Sequence, residues 1–367
     1  MKLISDQEFL TTELEHCWNK ITSRAIPYDI GQQYGYSRLW WQFYKSNIID
    51  KKNLLIIDSS DELASIWPFM LRTQYLLNGI HIIGQIDGIM TDYCVPILTE
   101  PDRFAAQLFK AITFINSKRI KWDYLKINIP NWTNYLRTDT DLHLNNDLKN
   151  LIWKTKKYDN YTYIPLENNF EHYVSNLGSK TRADVRKYLK IFKSGDFRFL
   201  VIEGEEILKY LPELIKLNSH TWSIFKGKGK VNIDFITNLI TTESVFTNGK
   251  IILPVLFYED KVIACVFGYL NNGRCFLHTA GILRTKVNSL SPGITLYGLL
   301  IKHFFETGID VIDLSPGIED YKLRLNAKIE SITQLIVFKN TFSYFIYIVG
   351  TILLKFKKNV KVFKSIF

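Results

Sequence analysis

The chain has 367 residues, 47% hydrophobic and 14% aromatic, which is too apolar for a disordered protein and long enough for two domains. Its formal charge of +10 is local: residues 180–193 carry six Lys/Arg against one Asp, and residues 355–364 carry five Lys. Two confined basic patches argue against the broad basic surface of a general nucleic-acid binder and suit an anionic cofactor, an anionic substrate or acidic lipid. Asp6 and Glu8 interrupt the N-terminus before an apolar run develops, so no secretory signal is expected there. The four cysteines are scattered singly and form no C-x-x-C pair, which fits free thiols in the cytoplasm.

In chain order, a helix is expected at 36–46, a strand pair at 54–58 and 63–71, and an apolar stretch at 80–84. A helix at 102–118 and a strand at 122–128 follow. The polar, Asn-rich run 155–178 reads as a boundary, dividing a domain at 1–165 from another at 166–340. Residues 179–193 predict a helix with Val185, Leu189 and Phe192 on one face and Arg182, Arg186, Lys190 and Lys193 on another. After a strand at 197–202 and helices at 205–222 and 232–246, three strands at 251–258, 261–270 and 274–280 are separated by short turns. A helix opens at Pro292 and stops at Gly308, followed by a strand at 309–314, a helical stretch at 319–327 and a strand at 332–338. Strand pair, helix and strand thus occur in both halves, which implies an α/β fold with a mixed sheet and a weak internal duplication.

Hydrolase, P-loop, dinucleotide and zincin motifs are absent, and the seven histidines lack ligand spacing, so no metal is expected. The chemistry points instead to 291–322. The amide groups that open the Pro292 helix suit a phosphate, with Arg284 and Lys286 nearby in sequence. Asp313 alternates with Ile312 and Leu314 and therefore points away from them; it is a candidate base or a turn-capping group before Ser315. His278, on an expected inner strand, reads as a core histidine.

The run from the three-stranded meander through S-P-G (291–293), an apolar helix ending in Gly, and D-L-S-P-G-x-E-D-Y-K (313–322) resembles the GNAT-type domain of the CelD/BcsL family of cellulose and exopolysaccharide clusters. More remotely it is similar to the Fem-type aminoacyl transferases. The basic helix from Ser179, the N-S-H-T-W segment (218–222), Leu39-Trp40-Trp41-Gln42-Phe43 and Thr91-Asp92-Tyr93 carry the same resemblance. It implies tandem GNAT folds and an acyltransferase using acetyl-CoA or another acyl-CoA as donor. The acceptor would be a small molecule or sugar of polysaccharide biosynthesis. Arg284, Lys286, Ser291 and Gly293 would then hold the cofactor. Asp313, Tyr321, Lys322 and Glu319 are the catalytic candidates, and His220, Trp222, Asp92 and Tyr93 those for the substrate. The loop departs from the usual Q/R-x-x-G-x-G/A, having only Gly293, preceded by Pro292, and this leaves the acyl carrier open. The Fem resemblance alone would bring in nucleic acid, as charged tRNA. Residues 341–354 carry no charge and precede the lysines; they are too few to span a bilayer and suggest a terminal helix (341–367) packed on the domain or resting on the inner leaflet.

Overall fold

A computed structural model describes residues 1–25, 30–44, 51–60, 64–74, 77–82, 95–130, 151–191, 196–225, 233–242, 249–287 and 289–364. The N-terminal half comprises β1 (Lys2–Leu3), α1 (Thr12–Thr22), α2 (Tyr34–Tyr44), β2 (Lys51–Asp58), β3 (Ser65–Gln74), β4 (Leu77–Ile82), β5 (Ile97–Leu98), α3 (Phe104–Ser117) and β6 (Tyr124–Pro130). There follow β7 (Ile152–Pro165), α4 (Phe170–Ser175), α5 (Ser179–Ile191), β8 (Phe197–Glu203), α6 (Leu211–Phe225), α7 (Ile233–Thr241), β9 (Gly249–Tyr258), β10 (Lys261–Asn271) and β11 (Arg274–Ile282). The chain continues through α8 (Pro292–Thr307), β12 (Val311–Pro316), α9 (Asp320–Arg324), β13 (Lys328–Phe338) and α10 (Thr341–Lys364).

All thirteen described strands join one mixed sheet in the order β1-β2-β3-β4-β6-β13-β7-β12-β11-β10-β9-β8, with β5 beside β3. Two neighbouring pairs are parallel, β4 with β6 and β11 with β12. Each is linked through a helix, α3 or α8, as a parallel connection requires. An antiparallel meander precedes both crossovers, β2-β3-β4 in one half and β9-β10-β11 in the other. The duplication seen faintly in the sequence is therefore topological.

The run 155–178, expected to hold the boundary, begins inside a strand. Residues 152–165 form β7, a fourteen-residue strand in mid-sheet between β13 and β12. Its polar composition reflects half-exposure, because two paired edges hold it in place without a continuous apolar face. β13 in turn pairs with β6 along seven residues, so a strand from the end of the chain stitches the halves together.

Alternation along the strands fills both faces. On the back face, α3 covers Leu54, Trp67, Leu125 and Val337, while α4, α5 and α8 cover Ile164, Cys275, Leu277, Ile312 and Leu314. On the front face, α1, α2, α6 and α7 share one core containing Trp18, Trp40, Phe235, Leu253 and Tyr269. Further along that face, α10 packs Tyr344, Ile346 and Tyr347 on Ile336 and Phe338. Gly308 ends α8 with φ of 74°, a left-handed cap that a Cβ would strain, and its N–H returns to the Phe304 carbonyl.

Candidate active site

The site is organised by the parting of two parallel strands. The β11–β12 ladder holds over only three pairs, ending at Phe276–Asp313, yet β11 continues to Ile282. Beyond that point β12 breaks register with β7, and Ser315 takes a left-handed φ of 64°. The opening is partly closed by protein groups: Ser315 Oγ donates to the Leu277 carbonyl at 2.6 Å, and Asn218 Nδ2 to the Ala280 carbonyl at 2.9 Å.

The start of α8 stands at the far end of β11. Pro292, Gly293 and Ile294 are buried, and a Cβ on Gly293 would come within 3.1 Å of Ile282. The Tyr188 phenol lies beside the Ser291 backbone, and the Ser291 carbonyl accepts from the Thr295 hydroxyl at 2.8 Å. Arg284 and Lys286 are exposed on the loop before the helix. Tyr188 and Ile282 thus stand beside the helix end expected to face an open cleft.

Of the four catalytic candidates, Lys322 and Glu319 meet, while Asp313 and Tyr321 lie on opposite faces of the sheet. Asp313 is fully buried on the front face; its Oδ2 meets Arg274 at 3.5 Å and its Oδ1 accepts the Ser315 N–H at 2.9 Å. Ile312 and Leu314 point to the back, as their alternation implies. Tyr321 lies at the back, its ring stacked on Tyr297 at 5.3 Å. Burial, with Tyr297 and Glu319 beside it, holds the Tyr321 phenol far above the usual tyrosine range, and burial pushes Tyr297 up to about 12. Lys322 is buried: its Nζ donates to the carbonyls of Ser315 and Pro316 at 3.0 Å each and of Gly317 at 3.3 Å, and it pairs with Glu319 at 2.8 Å. Glu319 is exposed. His220 and Trp222 lie on α6, but their side chains fall outside the described residues, as do Asp92 and Tyr93 altogether. His278 stacks on Tyr269 at 5.6 Å, in keeping with a packed histidine.

The structure assembles a different polar group on the front face, unmarked in the sequence because half of it lay in the supposed boundary. Tyr161 and Tyr163 on β7 stack at 5.9 Å and donate to the two oxygens of Glu330 on β13 at 2.5 and 2.7 Å. Burial and the adjoining carboxylate push Tyr163 up to about 12 and Tyr161 well above the tyrosine range. Arg274 extends the group toward β11, its guanidinium 5.5 Å from the Phe276 ring centre and 6.0 Å from that of Tyr163. Glu330, Tyr163 and Arg274 all keep some solvent exposure. The alternation of Tyr161 and Tyr163 was the available signal; their partnership with Glu330, 167 residues away or more, was not.

Two parallel strands that part beside a helix start are the frame of one acyl-transfer fold, and the comparisons agree. Residues 179–323 match the family model described as an acetyltransferase (GNAT) domain. The matched segment runs from the first residue of α5 to α9 and so contains the meander, α8 and the strand opening. Among solved structures, FemX is similar over 94% of this chain and 99% of its own, at 13% identity and a TM-score of 0.60. The C-terminal domain of a protein described as a lysylphosphatidylglycerol synthetase from Agrobacterium fabrum is similar over 95% and 97%, at 12% identity and 0.54. L-PGS from Bacillus licheniformis is similar over 89% and 92%, at 11% identity and 0.52. At these identities the likeness shows shared fold. No curated protein matches the chain. Beyond the matched segment, the same order of meander, helix and parallel strand in the N-terminal half makes the fold a tandem one.

Proposed function

We propose that the chain transfers an acyl group from an acyl-CoA thioester to an amine or hydroxyl of a sugar or other polysaccharide precursor, in the manner of the CelD/BcsL type. The observation that carries this reading is that the matched GNAT segment contains the opening between β11 and β12. In this reading the thioester lies in that opening, where Arg284, Lys286, Ser291 and Gly293 are the residues available to the donor's phosphates. The acceptor approaches from the front face, where Glu330, Tyr163 and Arg274 offer acceptors and donors. The nucleophile's N–H or O–H attacks the thioester carbonyl. The new C–N or C–O bond forms, the C–S bond breaks, and the nucleophile's proton leaves to Glu330 or water. The thiolate takes a proton from Tyr321, the candidate donor in this reading, which is then reprotonated from water.

A second reading is favoured by one observation. With Ile282 against Gly293 and the Tyr188 phenol beside Ser291, side chains crowd the start of α8 where a diphosphate would sit. That suits a donor without a CoA diphosphate, such as an aminoacyl-tRNA used in Fem-like fashion.

Thermal unfolding with acetyl-CoA, longer acyl-CoAs or free CoA separates the two. A CoA present at 100 times its dissociation constant stabilises by about 2.7 kcal/mol. Tyr321→Phe should then lower acyl turnover by roughly 10²-fold while keeping the CoA-induced stabilisation. If no CoA raises the midpoint and charged tRNA is retained on a filter, the second reading stands. If neither donor binds, acyl transfer is rejected.

A further inference from the structure

Over its described side chains, residues 341–352, the terminal helix α10 is covered on one side only. Tyr344, Ile346 and Tyr347 pack on the front face of the sheet, and Ser343 donates to Asp123 at 3.2 Å. On its outer side Phe342 is 70% exposed, Phe345 63%, Ile352 47% and Val349 38%. These four follow at spacings of three and four, so they form one apolar stripe along the helix. No other described segment places large apolar side chains in such a row; the remaining exposed ones are scattered. The sequence repeats the spacing at Phe356, Val360 and Phe363 and sets five lysines among them.

Besides Asp123, which Ser343 engages, the described charges nearest this helix are lysines. Lys154 and Lys156 on β7 are exposed on the same sheet face as α10, opposite Ile336 and Gln334 of β13, and both act electrostatically on the Tyr347 phenol. Lys126 of β6 reaches between the Tyr124 and Tyr347 rings, 5.2 and 5.1 Å from their centres. An apolar row bordered by lysines matches a surface with an apolar interior and anionic heads. No described helix is long and apolar enough to cross a membrane, so the fitting geometry is a helix lying along one.

We propose that α10 docks the protein on an anionic lipid surface, with Phe342, Phe345, Val349 and Ile352 entering the acyl boundary and Lys154 and Lys156 meeting the headgroups. The proposal stands independently of the acyl-transfer reading. Co-sedimentation of the full chain with vesicles tests it, using phosphatidylcholine alone or in equal parts with phosphatidylglycerol. Binding to the mixed vesicles is expected and to the neutral ones is not. The double variant Phe342→Ser, Phe345→Ser should lower that binding at least tenfold. The double variant Lys154→Gln, Lys156→Gln should lower it about fivefold per lysine at low salt and little at high salt. Circular dichroism and the unfolding midpoint should hold in both, because the altered side chains face solvent. Failure to sediment with mixed vesicles, equal binding to neutral ones, or undiminished binding by a folded serine variant would overturn the proposal. So would a native dimer that the serine variant splits, since a second copy would then be the stripe's occupant.

Discussion

Lys322 sits under the turn that follows β12, its ammonium shared among three backbone carbonyls and Glu319. An ammonium has three protons to give, and all are engaged, so none is left for an oxyanion. Its work is to hold a strained turn in which Ser315 and Gly317 have φ of 64° and 103°. Lys322→Met would strip a donor from three carbonyls, and a loss of about 2–4 kcal/mol in denaturant unfolding is expected. Lys322→Arg should not restore it, since a planar fork does not fit three converging carbonyls. Full stability with crippled turnover would instead return this lysine to the chemistry. Spacing alone could not decide the matter, because a lysine two residues after an acid and beside a tyrosine reads alike as catalyst or clamp. Asp313 was better marked: the alternation of 312–314 gave its direction, and the S-P-G turn gave its cap.

The elements that carry the opening were legible because their signals are local. The meander, α8 with its terminal Gly308, and β12 lie within a few residues of their expected positions. β7 was not, since its polar sequence lacks an apolar face and its stability comes from strands far away in the chain. The contact of α6 with β11 was equally hidden. It depends on Gly281, where a Cβ would fall 2.8 Å from both the Leu214 carbonyl and the Leu217 Cβ. Gly281→Ala should therefore push α6 off the strand at a cost of about 1–3 kcal/mol, and with it the segment bearing His220 and Trp222, so turnover should fall too. Gly350→Ala, where a Cβ meets nothing within 4 Å in mid-helix, is the control and should stabilise by roughly 0.5–1 kcal/mol. Equal effects at the two positions would show that close approach at Gly281 is not what seats α6.

At the scale of the whole molecule, two similar halves invite the expectation of two folding units, and the wiring opposes it. The ladder runs from β6 through β13 to β7 with one register shift at Ile332–Thr333, so separating the halves would expose two long strand edges. The front core is also common property: Phe235 of α7 is fully buried with its ring centre 5.7 Å from Tyr36 and 5.6 Å from Phe43 of α2. The Ile30 N–H donates to Tyr269 of β10 at 3.0 Å, which adds a buried polar tie across the same seam. One cooperative thermal transition is therefore expected, seen identically by tryptophan fluorescence and far-ultraviolet circular dichroism. Phe235→Ala should lower stability by about 3–5 kcal/mol and move that single transition as a whole, because the cavity it opens is lined by both halves. Were the variant to split the curve, with one step left in place and the other moved, the halves would be coupled only at a surface. A front-face acceptor site would then sit beside a hinge instead of a continuous sheet.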